Sequence, residues 1–504
     1  MKFKILIICI FTLFLGQLYS QVKLEGYFEG QFGRTYTSDS FKWNMWDPNF
    51  YLETRVSGSP VTNTNFYFKF YSDKDNDYYK FTSLRSEGVF TEGHIDFRQE
   101  KNGNGFNATL FTRESGRYWI DGSMLGLVNT GSVNNDGNGQ GMRFDFWDKF
   151  NSSFTYVFSD FSQGSGDDVH LLRFRQSFLK NKLKTGIFFL RKNYSTGAEK
   201  DYNQVIAGDL KFQFGRYFLD TEFAGSSVPS EDETNELNDI YRENGWKDFF
   251  KTNIATKAEF RGLRVGTANL GYWFFTPGIS NYGNTYRNYM GDNKSNEFGF
   301  WINSYYLVPR KAITITINYS RFEKIVPDTI QTIAIGDSNQ FVYDTQKIYD
   351  PVSNLYSEIY VEFVNGFKGK LFFNKKDEKW HGTKYKHYDF FSELSVENKL
   401  AKLLTQFKIK DIGENTEKHI AGVEVSVNLS EKWRIFTRGM IANDKVGSRH
   451  SIFGEIQYRL SGNTEVFLQY GPSWWGQYGL VNDDGFVSGG SMSKEIKLIV
   501  KGWF

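Results

Sequence analysis

Taken every second residue, the stretch 494–504 separates into two faces. Ile496, Leu498, Val500, Gly502 and Phe504 fall on one, and Glu495, Lys497, Ile499, Lys501 and Trp503 on the other. Successive side chains of a strand point to opposite sides, so this is a strand with one apolar and one largely polar face. The same division recurs along the chain. Leu24, Gly26, Phe28, Gly30 and Phe32 alternate with Glu25, Tyr27, Glu29 and Gln31. Met142, Phe144 and Phe146 oppose Arg143 and Asp145, and Ile206, Leu210 and Phe212 oppose Asp209 and Lys211. Leu355, Ile359, Val361 and Phe363 oppose Glu358 and Glu362, and Ile452, Ile456 and Leu460 oppose Glu455, Gln457 and Arg459. Further strands are expected near 50–57, 65–71, 93–99 and 106–112. The recurrence, at roughly 20-residue intervals, suits hairpins of ~10-residue strands and predicts about 22 strands, with 18 to 24 compatible. No helical periodicity competes with it, and no composition shift divides residues 21–504. They are expected to form one domain.

Apolar residues on one face and charges on the other suit a wall between lipid and a wet lumen. Such a wall must close, because hydrocarbon offers an open sheet edge no water. The opening strand is placed to pair with the last. The expected fold is therefore all-β: a transmembrane antiparallel β-barrel. A soluble sandwich or propeller would also alternate. It would not place charges opposite aromatics over the whole chain.

Composition sharpens this picture. Aromatic residues make up 18% of the chain, with Phe 50 and Tyr 30 against Pro 8, a bias that suits strands and interfacial girdles. Residues 1–20 read as a secretory signal peptide: Lys2 and Lys4, an apolar core from Ile5 to Leu15, then Leu18-Tyr19-Ser20. Cys9, the only cysteine, lies in that core, so residues 21–504 carry no thiol chemistry. Without Lys2 and Lys4 the formal charge falls from +2 to zero, and nothing global points to nucleic acid.

The terminal strand, ending in Trp503-Phe504, resembles that of bacterial outer-membrane β-barrels. That resemblance implies that Trp503 and Phe504 form the insertion signal read by the barrel-assembly machinery. Two segments, 203–227 and 265–291, are similar to the barrel half of an outer-membrane family that usually carries a family-9-type carbohydrate-binding domain in front. Asn138–Trp147, Asn-Gly-Gln-Gly-Met-Arg-Phe-Asp-Phe-Trp, is loosely similar to alginate-export channels. Here the first strand follows the signal peptide directly, so no sugar-binding role of a preceding domain is carried over.

The candidate functional surface is the lumen. It is expected to present Arg143, Asp145, Arg173, Arg175, Asp209, Lys211, Asp220, Glu222, Lys257, Glu259, Glu358, Glu362, Arg434 and Arg438, with both signs interspersed. Such residues set pore selectivity through local field and hydrogen bonds, unless they pair with one another in a static interior. Connections too long for hairpin turns are expected at 113–141, 226–246, 276–296, 322–354 and 471–493, the first of them free to fold inward. Thr276-Pro277-Gly278 reads as a turn. Short turns at 179–183 and 461–463 are expected at the periplasmic end. Tyr282, Tyr286, Arg287, Tyr289, Trp474 and Trp475 are loop candidates for stacking on sugar faces.

The chemistry inventory is thin. His381 and His387 stand six apart, with Lys384 and Lys386 between them marking an exposed hairpin, and no metal or cofactor is expected. No signature places a serine beside a histidine for hydrolysis, so no enzymatic activity is expected. The expectation is an outer-membrane, porin-like channel for passive passage of small solutes, with saccharides the favoured class. Its partners would be membrane lipids. A non-conducting scaffold or adhesion barrel acting through its long loops stays open as the alternative.

Overall fold

The structure, a computed structural model, describes residues 22–37, 40–42, 49–74, 89–112, 123–128, 140–160, 168–196, 199–227, 254–283, 286–291, 294, 297–308, 312–335, 338–364, 366–380, 383–471 and 494–504. The alternating sequence is drawn into one antiparallel sheet of 26 strand segments. Ser40–Lys42 and Asn49–Val61 both pair with Lys23–Thr37, so they form a single interrupted stave. Ile254–Arg261 and Leu263–Thr267 likewise share the partner Gly271–Tyr282. The barrel therefore has 24 strands, at the upper end of the expected range.

Closure is made by the strands Lys23–Thr37 and Lys494–Trp503, in register from Tyr27↔Trp503 to Tyr36↔Lys494. Phe504 prolongs the ladder. Its N–H donates to the Gly26 carbonyl at 3.1 Å, and its own carbonyl accepts from the Gly26 N–H at 2.8 Å. The ring of Phe504 covers Gly26, where an added Cβ would stand 2.0 Å from it. Only a residue without a side chain leaves the ring its place.

Cross-strand register carries each face around the wall. One outward row runs Phe106, Phe146, Phe154, Phe174, Ile187, Gly208 and Phe223. The Phe106–Phe146 and Phe146–Phe154 ring centroids lie 6.1 and 6.2 Å apart, and the Phe223 ring lies over Gly208. Leu110, Ile206, Ile279, Phe298, Ile359, Ile452 and Leu498 are exposed on the same side. The outside is a hydrocarbon surface.

The two ends differ. Asn102 and Gly103 (φ 54° and 78°) are the paired left-handed residues of a tight two-residue hairpin. The turns at 179–182 and 462–463 lie at that same end, and the longer connections gather at the other.

Two expected loops are strand instead. Thr276-Pro277-Gly278 lies inside the strand Gly271–Tyr282, so only the residues after Tyr282 form a connection. Register passes from Glu259↔Gly278 to Leu263↔Phe275. Phe260, Arg261 and Gly262 thus face only Thr276 and Pro277. This is a bulge, with Gly262 at φ 92°, where a proline without an N–H is tolerated. The stretch 322–354 is also strand: Ala312–Ile335 and Ser338–Val364 pair to Ile335↔Ser338, with one register shift at Pro327/Thr329. Its Ile, Val, Thr and Tyr content favours strand, and the shift absorbs the proline. Neighbouring pairing stops at Lys324 and at Val352, so beyond them this ribbon pairs with itself alone.

Candidate functional site

The inner face combines small and apolar residues with ionic ones. One row reads Arg143, Val157, Leu171, Leu190, Val205, Ser226. The next reads Asp145, Thr155, Arg173, Phe188, Ala207, Ala224, Ala255, Tyr282. A third carries Arg175, Gly186, Asp209, Glu222, Lys257 and Ser280. Sequence alternation places all of these inward. It does not reveal that the apolar members form a patch near the long-loop end.

Two segments from that end fold in and cover the patch. Leu125 and Leu127 of the 113–139 connection, and Tyr286 and Met290 of the 283–296 connection, join Val157, Leu171, Leu190, Val205 and the three alanines in one buried cluster. Alanines at 207, 224 and 255 recess the wall, and the larger incoming side chains fill the space. The two segments also touch each other. A Cβ on Gly291 would stand 2.0 Å from the Gly126 carbonyl oxygen, and Asn288 Nδ2 donates to the Leu127 carbonyl at 3.1 Å.

Polar side chains of the wall hold both segments. Glu222, 3% exposed, accepts from Ser123 Oγ (3.1 Å), from the Leu125 N–H (2.9 Å) and from the Met124 N–H. Asn203, 1% exposed, accepts from the Tyr289 N–H and donates to the Arg287 carbonyl, both at 3.1 Å. Ser226 Oγ accepts from the Arg287 N–H at 2.9 Å. These bonds satisfy backbone groups that burial would otherwise leave unpaired. The expected inward fold of the first long connection is present in residues 123–128.

The expected lumenal charges are largely paired. Arg143 forks onto Asp145 (2.8 and 2.9 Å), which also accepts from Thr155 Oγ1 at 2.7 Å. Arg173 meets Asp209 at 2.7 Å with both side chains almost fully buried, and Asp209 lies against Gly186. Asp220 binds Arg261, which reaches Glu259 at 3.5 Å. Across the barrel, Glu358 meets Lys370 at 2.8 Å, Arg438 meets Glu424 at 2.7 Å, and Arg434 Nε donates to Ser426 Oγ at 2.8 Å. Lys211 faces Asp220 and Lys184, Glu362 faces Lys368 and Ala312, and Arg175 is half-buried opposite Gly186. A second apolar cluster, Phe391, Ile420, Met440, Ala442 and Phe453, lines the wall on this side.

The loop aromatics divide. Tyr282 and Tyr286 are 3% and 1% exposed in the inner cluster, so they offer no open face for stacking. Burial pushes the Tyr286 hydroxyl well above its usual range and keeps it neutral. Tyr289 is half-buried, edge-on to Tyr194 at 5.5 Å, and Arg287 turns its guanidinium back to the Tyr286 carbonyl. Trp474, Trp475, the expected signal peptide at 1–20, most of 226–246 and His381 lie outside the described residues. His387 is held between Asp411 (2.9 Å) and Glu378 (3.3 Å). Among the described residues no group of three or more His, Cys, Asp or Glu is arranged to hold a metal.

Below the infolded segments runs an inward aromatic line that the sequence reading missed. Trp301 lies flat over Gly278, where a Cβ would stand 2.1 Å from the indole, and Lys257 Nζ sits 5.2 Å from its ring. Toward the tight-turn end, Phe274 and Tyr305 stack at 4.8 Å and 15°. Tyr272 follows, with the Arg264 guanidinium 4.5 Å above it. The signal was in the sequence, since Trp301 and Tyr305 share a face four apart, but the glycine opposite Trp301 needed the register.

Fold and site together define a large closed barrel with an apolar outside and a partly filled interior. No protein-family model matches the chain, and no curated protein matches it. Solved outer-membrane barrels do. The siderophore receptor PirA from Acinetobacter baumannii gives a TM-score of 0.47 at 8% identity, covering 96% of this chain and 80% of that one. PirA from Pseudomonas aeruginosa gives 0.44 at 9%, with the same coverage. The P pilus usher PapC translocation pore gives 0.38 at 8%, covering 95% and 99%. These likenesses concern architecture and carry no ligand to this chain.

Proposed function

We propose that the chain is a bacterial outer-membrane channel that passes small neutral or weakly charged solutes passively, with saccharides the favoured class. The observation that supports it most is the lumenal aromatic line beneath the two infolded segments. Trp301, Phe274, Tyr305 and Tyr272 offer flat apolar faces, with Lys257 and Arg264 beside them to bond hydroxyls. Rings and cations in this arrangement suit a solute with apolar faces and hydroxyl edges better than a strongly charged one. The apolar outside suits lipid, and barrels of this strand number are too wide for side chains alone to fill. Tight turns would face the periplasm and long connections the exterior. The paired lumenal charges leave no strong field of one sign, in keeping with weak ion selectivity.

Planar-bilayer recordings test this. The protein should conduct, and oligosaccharides added to one side should reduce the open current in a concentration-dependent way. A protein that inserts but never conducts would support instead the scaffold reading, which the two packed inner clusters favour.

A further inference from the structure

On the outer surface the apolar belt ends at the Phe373–Phe390 pair, and lysines follow at once toward the long-loop end. In the hairpin Phe367–Trp380/Thr383–Glu397, Lys375 faces Tyr388, Asp377 faces Lys386, and Lys379 faces Lys384. Like charges directly opposite each other destabilise a sheet unless something lies between them. The sole carboxylate among these positions is already engaged: Asp377 meets Lys375 at 3.3 Å and accepts from Tyr388 Oη at 2.8 Å. The outward residues on one flanking strand are Ser353 and Leu355, and on the other Ile409, all neutral. Glu417 in the next connection is held by His419 at 2.7 Å. Lys384 and Lys386 are exposed.

We propose that Lys379, Lys384 and Lys386 bind the phosphates of a phosphorylated glycolipid headgroup in the outer leaflet. This rests on the membrane reading above. Height selects the lipid. At about 3.4 Å per residue, Lys375 stands about 7 Å along the strand from Phe373, within a headgroup layer of about 5–7 Å. Lys379 and Lys384 stand about 20 Å along it, or about 15 Å above the belt for a strand tilted by about 40°. A simple phospholipid phosphate does not reach that level; phosphates on an attached oligosaccharide do. Ammonium groups at two heights then form charge-assisted bonds to such phosphates, which also relieve the Lys379–Lys384 repulsion.

The test uses the full chain in detergent with lipopolysaccharide, its phosphatase-treated form, phosphatidylglycerol vesicles and inorganic phosphate as separate probes. The triple variant Lys379→Gln/Lys384→Gln/Lys386→Gln should bind lipopolysaccharide at least tenfold more weakly. The corresponding triple Arg variant, and Lys399→Gln/Lys432→Gln at the opposite rim, should bind as the parent does. Equal binding by the parent and the Gln variant overturns the site, as does undiminished binding of the phosphatase-treated lipid. Tighter binding of phosphatidylglycerol or free phosphate overturns the choice of glycolipid. Insertion into bilayers separates the two readings. A chain that inserts while parent and variant bind alike loses the lysine site only, whereas a chain that enters no bilayer loses both.

Discussion

Replacing Glu222 with Ala should release the 123–128 segment from the lumen and widen the bore. Three donors converge on this carboxylate, from Ser123, Met124 and Leu125. Hydrogen bonds to a charged acceptor contribute about 1.5–3 kcal/mol each, and removing the carboxylate also relieves its burial cost. A net loss of about 3 kcal/mol shifts the docked–undocked equilibrium by roughly 150-fold. Leu125 and Leu127, each 1% exposed, contribute about 1.5–3 kcal/mol apiece by burial. Ordering the backbone costs about 1–2 kcal/mol for every residue of the segment, so the leucines alone do not hold it. In single-channel recordings Glu222→Ala should give larger, noisier openings, and Glu222→Gln an intermediate trace. Heat-modifiable gel migration should stay that of the parent, because the 24-strand ladder does not depend on this side chain. A Glu222→Ala channel with the parent's conductance and noise would show that this anchor does not control the bore.

Other consequences are as specific. Trp301→Ala should weaken oligosaccharide block of the current by roughly 5- to 150-fold, the range expected for about 1–3 kcal/mol of stacking, while ion conductance changes little. Arg143→Glu and Arg175→Glu should move the reversal potential toward cations. Arg173→Glu should instead cost about 3–5 kcal/mol by leaving Asp209 unpaired in a dry site, and is read as less folded barrel in the membrane. Gly26→Val should displace the Phe504 ring, and Phe504→Asp should place a charge on the lipid side. Both should leave degraded precursor in place of heat-modifiable protein, through loss of the ring over Gly26, since a charge at the rim itself costs only about 0–1 kcal/mol. Normal amounts of folded Phe504→Asp barrel would remove the terminal residue from the assembly signal.

Alternation determined the class of fold, the inward or outward side of residues in unbulged strands, and the closing partnership of the first and last strands. Period two is a local property, so Arg143, Asp209 and Glu358 could be turned inward from sequence alone. Strand ends were less legible. Pro277 reads as a turn until the bulge at Gly262 shows what lies opposite it, and 322–354 reads as a loop until its two halves are seen to pair. What the lumen holds was decided by tertiary structure. Glu222 meets residues 97 to 99 positions away, and Asn288 meets Leu127 at a separation of 161, distances over which no periodicity carries information. Tyr282 looked like a loop aromatic because its strand runs on through Pro277, and Tyr286 because nothing local says that alanines at 207, 224 and 255 recess the wall to receive it. A strand pattern fixes which way a side chain points; what it meets there depends on which distant segment finds its backbone bonds satisfied against it.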